Sequence, residues 1–444
     1  MQIEKKMTEA ILNNPERYQE DFKNINEAVA KSKAIYKGEP VPHLYVPKIY
    51  THSDVVTFEK ALEGMMDVVN RTIELYLAEE SVRELFGFDP KLDALIRLPH
   101  FYDAKVPMGR FDIFYYGNGE YKFCELNTDG SSAMNEQKEL AQVLKQSQIM
   151  KDFDSSYSFE THELFHSWVH AVEDIYAQDQ KNRGLKLKDK ADTSIAIVDF
   201  IDKGSSIEFD VFAEAFKSEG YHCIIVDPRD IKVSDGQMYA NGKVIDVVYR
   251  RLVTKDLMDR YDEIPEFIEG LFAGKTCVIG SIKTQVVHTK RFFEVLYHPT
   301  FRKYLSQDQI DFIESHVPYT KALMANDIQQ YIDQKDNYII KPVDYYASKG
   351  VCAGSDYTEA SWKTLLEEKS QEDFIVQRYA PLSLVDNVLY DQGEGFLKHS
   401  FRTITGLFVY NEKFAGLYVR GGLNAIISGL HSGYTFATFV AKEK

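Results

Sequence analysis

At 444 residues, with 44% hydrophobic and 27% charged side chains, the chain is long enough for two or three domains with ordinary cores and does not have a disordered composition. Its 68 acidic residues against 52 basic ones give a net charge of −16, which argues against nucleic acid as a partner. No run approaches the ~20 apolar residues of a membrane span, and Met1-Gln-Ile-Glu-Lys-Lys6 leads into a polar amphipathic segment with no apolar signal core, so the expected location is the cytoplasm and no membrane partner is expected.

Residues 1–98 show the three-and-four spacing of apolar positions that marks helices, clearest from Phe58 to Leu77, with an irregular link at Pro40, Pro42 and Pro47. This region reads as packing. The four cysteines, Cys124, Cys223, Cys277 and Cys352, are far apart, lie mostly in apolar runs and have no C-x-x-C spacing, so buried free thiols are expected.

The most informative stretch runs from Met108 to Asn127. Two aromatic, β-prone runs flank Asn118-Gly119, a dipeptide suited to a two-residue type I′ turn because both positions tolerate positive φ. That turn pairs Gly117 with Glu120, and counting outward sets Asp112 opposite Glu125 and Arg110 opposite Asn127. Alternation puts Arg110, Asp112, Phe114 and Tyr116 on one face together with Tyr121, Phe123, Glu125 and Asn127 of the partner strand. Facing carboxylates repel by a few tenths to ~1 kcal/mol unless a cation lies between them. Asp112, Glu125 and the Asn127 carbonyl offer oxygen alone, which suits Mg²⁺, with Mn²⁺ as the alternative, and argues against zinc. For any one of these residues a solvated charge on an open sheet face is the competing explanation; the coincidence of register favours the metal for the set.

After Asn127, the loop Thr128-Asp-Gly-Ser-Ser132 leads into a helix expected over 135–150, where Ser131 and Ser132 are placed to cap the helix or to touch an anion. The texture changes near 190. Ser194–Phe200, a helix from Phe209 to Glu219, Tyr221–Asp227, Val244–Tyr249 and Thr276–Gly280 predict a parallel α/β unit. No G-x-G-x-x-G follows the first strand, so a dinucleotide site is not indicated. Arg250-Arg251, at a strand end, is either an anion site or a solvated pair.

The chain turns helical from about 300, then Asn337-Tyr-Ile-Ile-Lys-Pro342 predicts a short buried strand whose Lys341 needs an anion beside it. The loop from Val343 to Val351 contains Ser348-Lys349-Gly350, a phosphate cover in outline but not a Walker A motif. A strand over Glu372–Tyr379 follows. Phe401–Tyr410 and Phe414–Arg420 predict a hairpin turning near Asn411-Glu412, which brings Arg402 and Arg420 near each other on a rigid sheet suited to positioning phosphate.

Together these pieces resemble the ATP-grasp ligases. Lys341-Pro342, the 343–351 loop, Phe374-Ile-Val-Gln377 and Arg402…Arg420 follow that superfamily's order, but Asp112 and Glu125-Leu-Asn127 precede them, a circularly permuted arrangement similar to the glutathionylspermidine synthetase family, whose Arg-Phe-Asp and Glu-x-Asn pairs match Arg110-Phe-Asp112 and Glu125-Leu-Asn127. The bifunctional members of that family carry a Cys-dependent amidase at the N-terminus, whereas residues 1–100 hold no cysteine and are too few for one. The resemblance implies an α/β (α+β) ATP-grasp fold, circularly permuted. It comprises a helical region at 1–100, the metal-binding hairpin with helices at 101–190, a parallel, pre-ATP-grasp-like unit on the substrate side at 191–300, and the lid and nucleotide-binding region at 301–444.

The resemblance further implies ATP with two Mg²⁺ held by Asp112, Glu125 and Asn127. Lys341 would contact the phosphates together with an upstream lysine, taken as Lys321 with Lys303 the alternative. Ser348, Lys349 and Gly350 would close over the γ-phosphate and Arg402 would assist. Adenine would lie against Phe374 and Ile375, with backbone hydrogen bonds near Val376 and Gln377. The implied activity is ADP-forming amide synthesis between a peptide-like carboxylate and an amine through an acyl phosphate, with Arg110 and Arg420 stabilising the oxyanion. The rival readings are a phosphotransferase, a non-catalytic nucleotide-binding protein and a metal-dependent hydrolase without ATP.

Overall fold

The computed structural model describes residues 2–36, 38–203, 206–344, 349–424, 426–427 and 433–444. The longest helix, α1 (His52–Ala78), begins where Thr51 and Asp54 cap each other: Thr51 Oγ1 accepts from the Asp54 N–H and the Asp54 carboxylate accepts from the Thr51 N–H. Its stripe of Phe58, Ala61, Leu62, Met65, Val69 and Ile73 is buried against the main core.

The hairpin strands β1 (Met108–Gly117) and β2 (Glu120–Asn127) come next, followed by α2 (Met134–Leu144). The parallel unit is β3 (Ser194–Val198), α3 (Ser206–Ser218), β4 (His222–Val226), β5 (Val247–Arg250) and β6 (Cys277–Ile279), with strands in the order β6-β5-β3-β4. A short helix, α4 (Arg291–Val295), leads to a small antiparallel sheet made from β7 (Thr320–Ala322), β8 (Tyr338–Pro342), β9 (Cys352–Ala353) and β10 (Phe374–Arg378), in the order β7-β10-β8-β9. The last strands, β11 (Ser383–Asp391), β12 (Gly395–Tyr410), β13 (Lys413–Gly422) and β14 (Gly433–Phe436), return to the hairpin. They form one sheet with it, ordered β14-β13-β12-β1-β2.

That junction is possible because β12 is 16 residues long: its first half pairs with β11 and its second half with β1, placing Gly406 opposite Asp112. The β12–β13 turn has positive φ at both Asn411 and Glu412, as a two-residue hairpin twist requires.

The β1–β2 register departs from the simple count. Gly117 does face Glu120 around a turn with positive φ at Asn118 and Gly119, but Tyr115 faces Tyr121 and Ile113 faces Phe123 before Asp112 meets Glu125 and Arg110 meets Asn127. Tyr116 is therefore an extra residue in β1 and Cys124 an extra residue in β2, two bulges that cancel. They also reverse the faces in between. Tyr121 and Phe123 pack with Phe111, Ile113 and Tyr115 in the main core, on the side away from Glu125, while Phe114 packs with Tyr116, Cys124 and Ile404 in a separate cluster.

All four cysteines are free, Cys223 and Cys277 buried and Cys124 and Cys352 partly so. No helix among the described residues is long and apolar enough to cross a membrane.

The proline link also holds a strand, Lys48–Thr51, which pairs in parallel with Thr438–Glu443, itself paired with Tyr157–Glu160. Its Lys48 forms a buried ion pair with Glu4, Nζ to Oε1 at 2.6 Å, and Glu4 also accepts from the Ile49 N–H. Burial would raise the Glu4 carboxyl, but the Lys48 ammonium beside it prevails and lowers it from 4.5 to about 2. Glu4→Gln strands the Lys48 charge in the interior, with an expected loss of about 3–5 kcal/mol in urea unfolding near neutral pH. Because the folded-state value is the lower one, the ion pair's contribution is complete above 4.5 and disappears as the pH falls towards 2, so the gap between wild type and variant should close over that window.

Candidate functional site

The site grows out of the β1–β2 pair. Asp112 is buried, and the Glu125 side chain is 25% exposed. Arg110 grips Asp112 with two donors, Nε to Oδ1 at 2.7 Å and Nη2 to Oδ2 at 3.2 Å, and its Nη1 donates to the Ser132 carbonyl at 2.9 Å. Arg420 reaches in from β13, its Nη2 lying 3.0 Å from both Asp112 Oδ2 and Glu125 Oε1. The Asn127 amide donates to Asp112 at 3.2 Å and to Glu125 at 3.5 Å. Arg110 takes this path because position 406 is glycine: a Cβ there would lie 2.6 Å from Arg110 Cδ. The guanidinium then sits over the Tyr418 ring, 5.1 Å from its centroid.

Two lysines complete the ring of cations. Lys341, on β8, is 6% exposed and donates to the carbonyl of Cys124 at 3.4 Å. Cys124 is the bulge residue of β2, and a bulge leaves a backbone group outside the ladder. Lys290, just before α4, is the second. Burial lowers its ammonium, opposed by Glu125 and Asp344 and reinforced by Lys341, which puts all three groups around it. Glu125 reports the same neighbourhood. Burial alone would raise its carboxyl, but Arg420, Lys290, Lys341 and Arg110 hold it well below the usual carboxylate range.

The sequence offered no signal for Lys290, which stands in Thr-Lys-Arg rather than at the end of an apolar strand. The two lysines chosen from the sequence lie elsewhere. Lys321 is exposed on the edge strand β7, and Lys303 is exposed, its Nζ 4.8 Å from the Tyr304 ring centroid.

Other expected site residues are distributed unevenly. Val376 faces Lys321 on one side and Ile340 on the other, and Gln377 faces Thr320 and Ile339, so β10 has ladder partners on both flanks and no open edge for adenine at 376–377. Phe374 and Val376 point into the small sheet's own core with Trp362 and Leu366; Ile375 alternates to the opposite face and cannot share a ring with Phe374. The Gln377 amide is spent on Thr320 Oγ1 at 2.9 Å. Beyond β10, Ala380 and Leu382 pack with Phe114 and Ile404, the apolar cluster that includes Cys124. Arg402 faces Gly422 rather than Arg420, two residues further along the hairpin, and donates to the Leu423 carbonyl at 2.7 Å. Lys349 and Gly350 are exposed, with Gly350 at φ +76°. Ser348 lies outside the described residues.

Arg250 and Arg251 are neither solvated nor open to an anion. Arg250 pairs with Asp129 at 2.6 Å, both side chains 1% exposed, and Arg251 pairs with Glu208 at 2.7 Å while donating to the Ser131 carbonyl. They clamp the 128–133 loop. Ser131 and Ser132 do not cap α2: Ser131 donates back to the Asn127 carbonyl, and the Glu208 carboxylate from α3 accepts the N–H groups of Ala133 and Asn135, each at 3.1 Å. Capping by a carboxylate suits the positive end of the helix.

Among the described residues no group of three or more His, Cys, Asp or Glu side chains could hold a metal. Two carboxylates and an amide nonetheless fit Mg²⁺, which keeps several coordination positions for phosphate and water. Arg420 would have to yield part of its hold, and the Asn127 amide would have to turn its oxygen inward.

The architecture is an α/β ATP-grasp-like fold. The family model for the glutathionylspermidine synthase preATP-grasp matches residues 44–435, and the chain belongs to that family. Among solved structures, a glutathione synthetase-like effector from Globodera pallida in apo form aligns over 95% of this chain and 96% of its own, with a TM-score of 0.61 at 12% identity. The D-cycloserine synthetase DcsG (55% of this chain, 90% of its own, 12% identity, TM-score 0.30) and the D-alanyl-alanine synthetase A of Vibrio cholerae (55%, 87%, 10%, 0.28) are more remote. No curated protein matches the chain significantly.

Gly406→Ala should displace Arg110, which Asp112 and Ser132 hold in place, at a cost of about 1–3 kcal/mol. The measurement is the urea midpoint, and an unchanged value would mean that Arg110 has another path.

Proposed function

We propose that the protein is an ATP-dependent carboxylate–amine ligase of the circularly permuted ATP-grasp type, working through an acyl phosphate. The observation that carries this reading is the convergence of Arg110, Arg420, Lys290 and Lys341 on the facing pair Asp112 and Glu125. Even with Asp344 beside Lys290, cations outnumber carboxylates there. An excess of buried positive charge is costly unless a polyanion enters, and a nucleoside triphosphate with Mg²⁺ is such a polyanion. Donors from four separate parts of the chain suit phosphate positioning better than hydrolysis of an uncharged bond.

In this reading Asp112, Glu125 and Asn127 hold Mg²⁺, which supplies charge neutralisation at the phosphate oxygens when bound. Lys290 and Lys341 draw the phosphates towards β2. The acid's carboxylate attacks the γ-phosphorus in line and ADP departs. The amine then attacks the acyl phosphate carbonyl, and Arg110 and Arg420 face the oxyanion that forms. Adenine is assigned to the apolar cluster of Phe114, Ala380, Leu382 and Ile404, where the chain has left the β10 ladder. Lys349 and Gly350 belong to the covering loop, and Arg402 is assigned to assist at the phosphates. The family's name suggests glutathione and a polyamine as the first pair to try.

ADP release should be measured across acids and amines, beginning with glutathione and spermidine, with the product identified. The expected result is ADP, phosphate and an amide, and a drop of at least about 100-fold in Glu125→Ala. A stable phospho-product would indicate a phosphotransferase, and unchanged turnover in Glu125→Ala would remove the metal assignment.

A further inference from the structure

The reaction as drawn leaves one requirement open. An aliphatic amine arrives as an ammonium ion, which has no lone pair and must lose a proton before it attacks. Arg110 and Arg420 do not accept protons, Lys290 and Lys341 are assigned to the phosphates, and Asp112, Glu125 and Asn127 are committed to cations. Glu136, in the first turn of α2, is a carboxyl the mechanism does not use. It is 8% exposed, and beyond its own backbone its side chain has no hydrogen-bond or ion-pair partner among the described residues. Buried carboxylates are ordinarily paired, and one that is not is exceptional.

Its surroundings place it at the edge of the site. The charged groups facing it are Glu208 from α3, Arg251 beyond β5 and Arg110 from β1, with the Tyr418 hydroxyl of β13 also in range. Arg110 and Tyr418 stack together and form the wall next to Asp112. Neither arginine is available to pair with Glu136, because Arg110 is held by Asp112 and Ser132, and Arg251 by Glu208 and Ser131. Glu208 is held by Arg251 and the end of α2, so Glu136 is left as a carboxyl without a cation.

We propose that Glu136 receives the ammonium group of the amine substrate and takes its proton, acting as the catalytic base of the amide-forming step; this rests on the ligase reading above. The proton passes from R–NH₃⁺ to the Glu136 carboxylate, leaving R–NH₂. The nitrogen lone pair forms the C–N bond while the carbonyl π pair moves onto oxygen, opposite Arg110 and Arg420. Collapse breaks the C–O bond to phosphate, which leaves with that electron pair and carries off the remaining N–H proton. Burial and the neighbouring Glu208 raise the Glu136 carboxyl far above the usual range, opposed by Arg110 and Arg251, which brings its basicity closer to that of an amine.

Hydroxylamine separates this step from the one before it, since it is already neutral near pH 7 and traps an acyl phosphate as a hydroxamate without a base. Wild type and Glu136→Gln are given ATP, Mg²⁺ and glutathione or a panel of amino acids, with either hydroxylamine or spermidine as nucleophile. The expected result is that the variant keeps its hydroxamate yield, loses amide formation by about 100-fold, and loses the rise of amide rate with pH. An amide rate and pH profile like those of wild type would overturn the proposal. If Glu136→Gln loses both products, the ratio in Glu136→Asp decides: amide falling relative to hydroxamate upholds the base, and an unchanged ratio removes it. If wild type forms neither product, it is the ligase reading that has failed, and the inference falls with it.

Discussion

Two carboxylates, Asp112 and Glu125, stand opposite each other on neighbouring strands, one of them buried, and the rest of the molecule is arranged to bring cations to them. Left alone they would repel each other. Cations reach them from every direction. Arg110 comes from the same strand, across a glycine that leaves it room. Arg420 comes from the C-terminal hairpin, Lys341 from the small sheet and Lys290 from the segment before α4. Four parts of the chain are thereby tied to one pair of acids.

The same economy of charge holds the surrounding frame. Arg250 with Asp129 and Arg251 with the Ser131 carbonyl join the parallel unit to the loop that follows β2, and Glu208, paired with Arg251, also closes the start of α2. Gly130 is needed there, since at φ +63° a Cβ would lie 2.5 Å from Val253 and 2.7 Å from the Arg251 carbonyl. A clamped loop keeps Ser132 where it can accept from Arg110, so the parallel sheet positions the site without lining it.

Local patterns were legible in the sequence, and long-range partners were not. Asn118-Gly119 announces its turn, and the pairing of Asp112 with Glu125 follows from it. That pairing survives only because the extra residues Tyr116 and Cys124 cancel, and their effect on the intervening faces could not be counted in advance. Lys341 was visible because a lysine closing an apolar strand needs an explanation. Lys290 was not, because a lysine among polar neighbours needs none until the fold buries it. Arg250 and Arg251 looked like surface or ligand-binding groups because their partners, Asp129 and Glu208, lie far away in sequence. The β10 strand was correctly expected, but its flanking by both β7 and β8, which occupies the backbone at Val376 and Gln377, depends on a strand order that no local pattern carries.

Lys290 and Lys341, gathered around Asp112 and Glu125, are proposed to form the polyanion site. The most direct test is the affinity of a non-hydrolysable ATP analogue with Mg²⁺ for wild type, Lys290→Met and Lys321→Met. Loss of a buried charged partner should weaken binding by at least about 30-fold in Lys290→Met, with Lys321→Met unchanged. Unaltered affinity in Lys290→Met together with a loss in Lys321→Met would contradict the account.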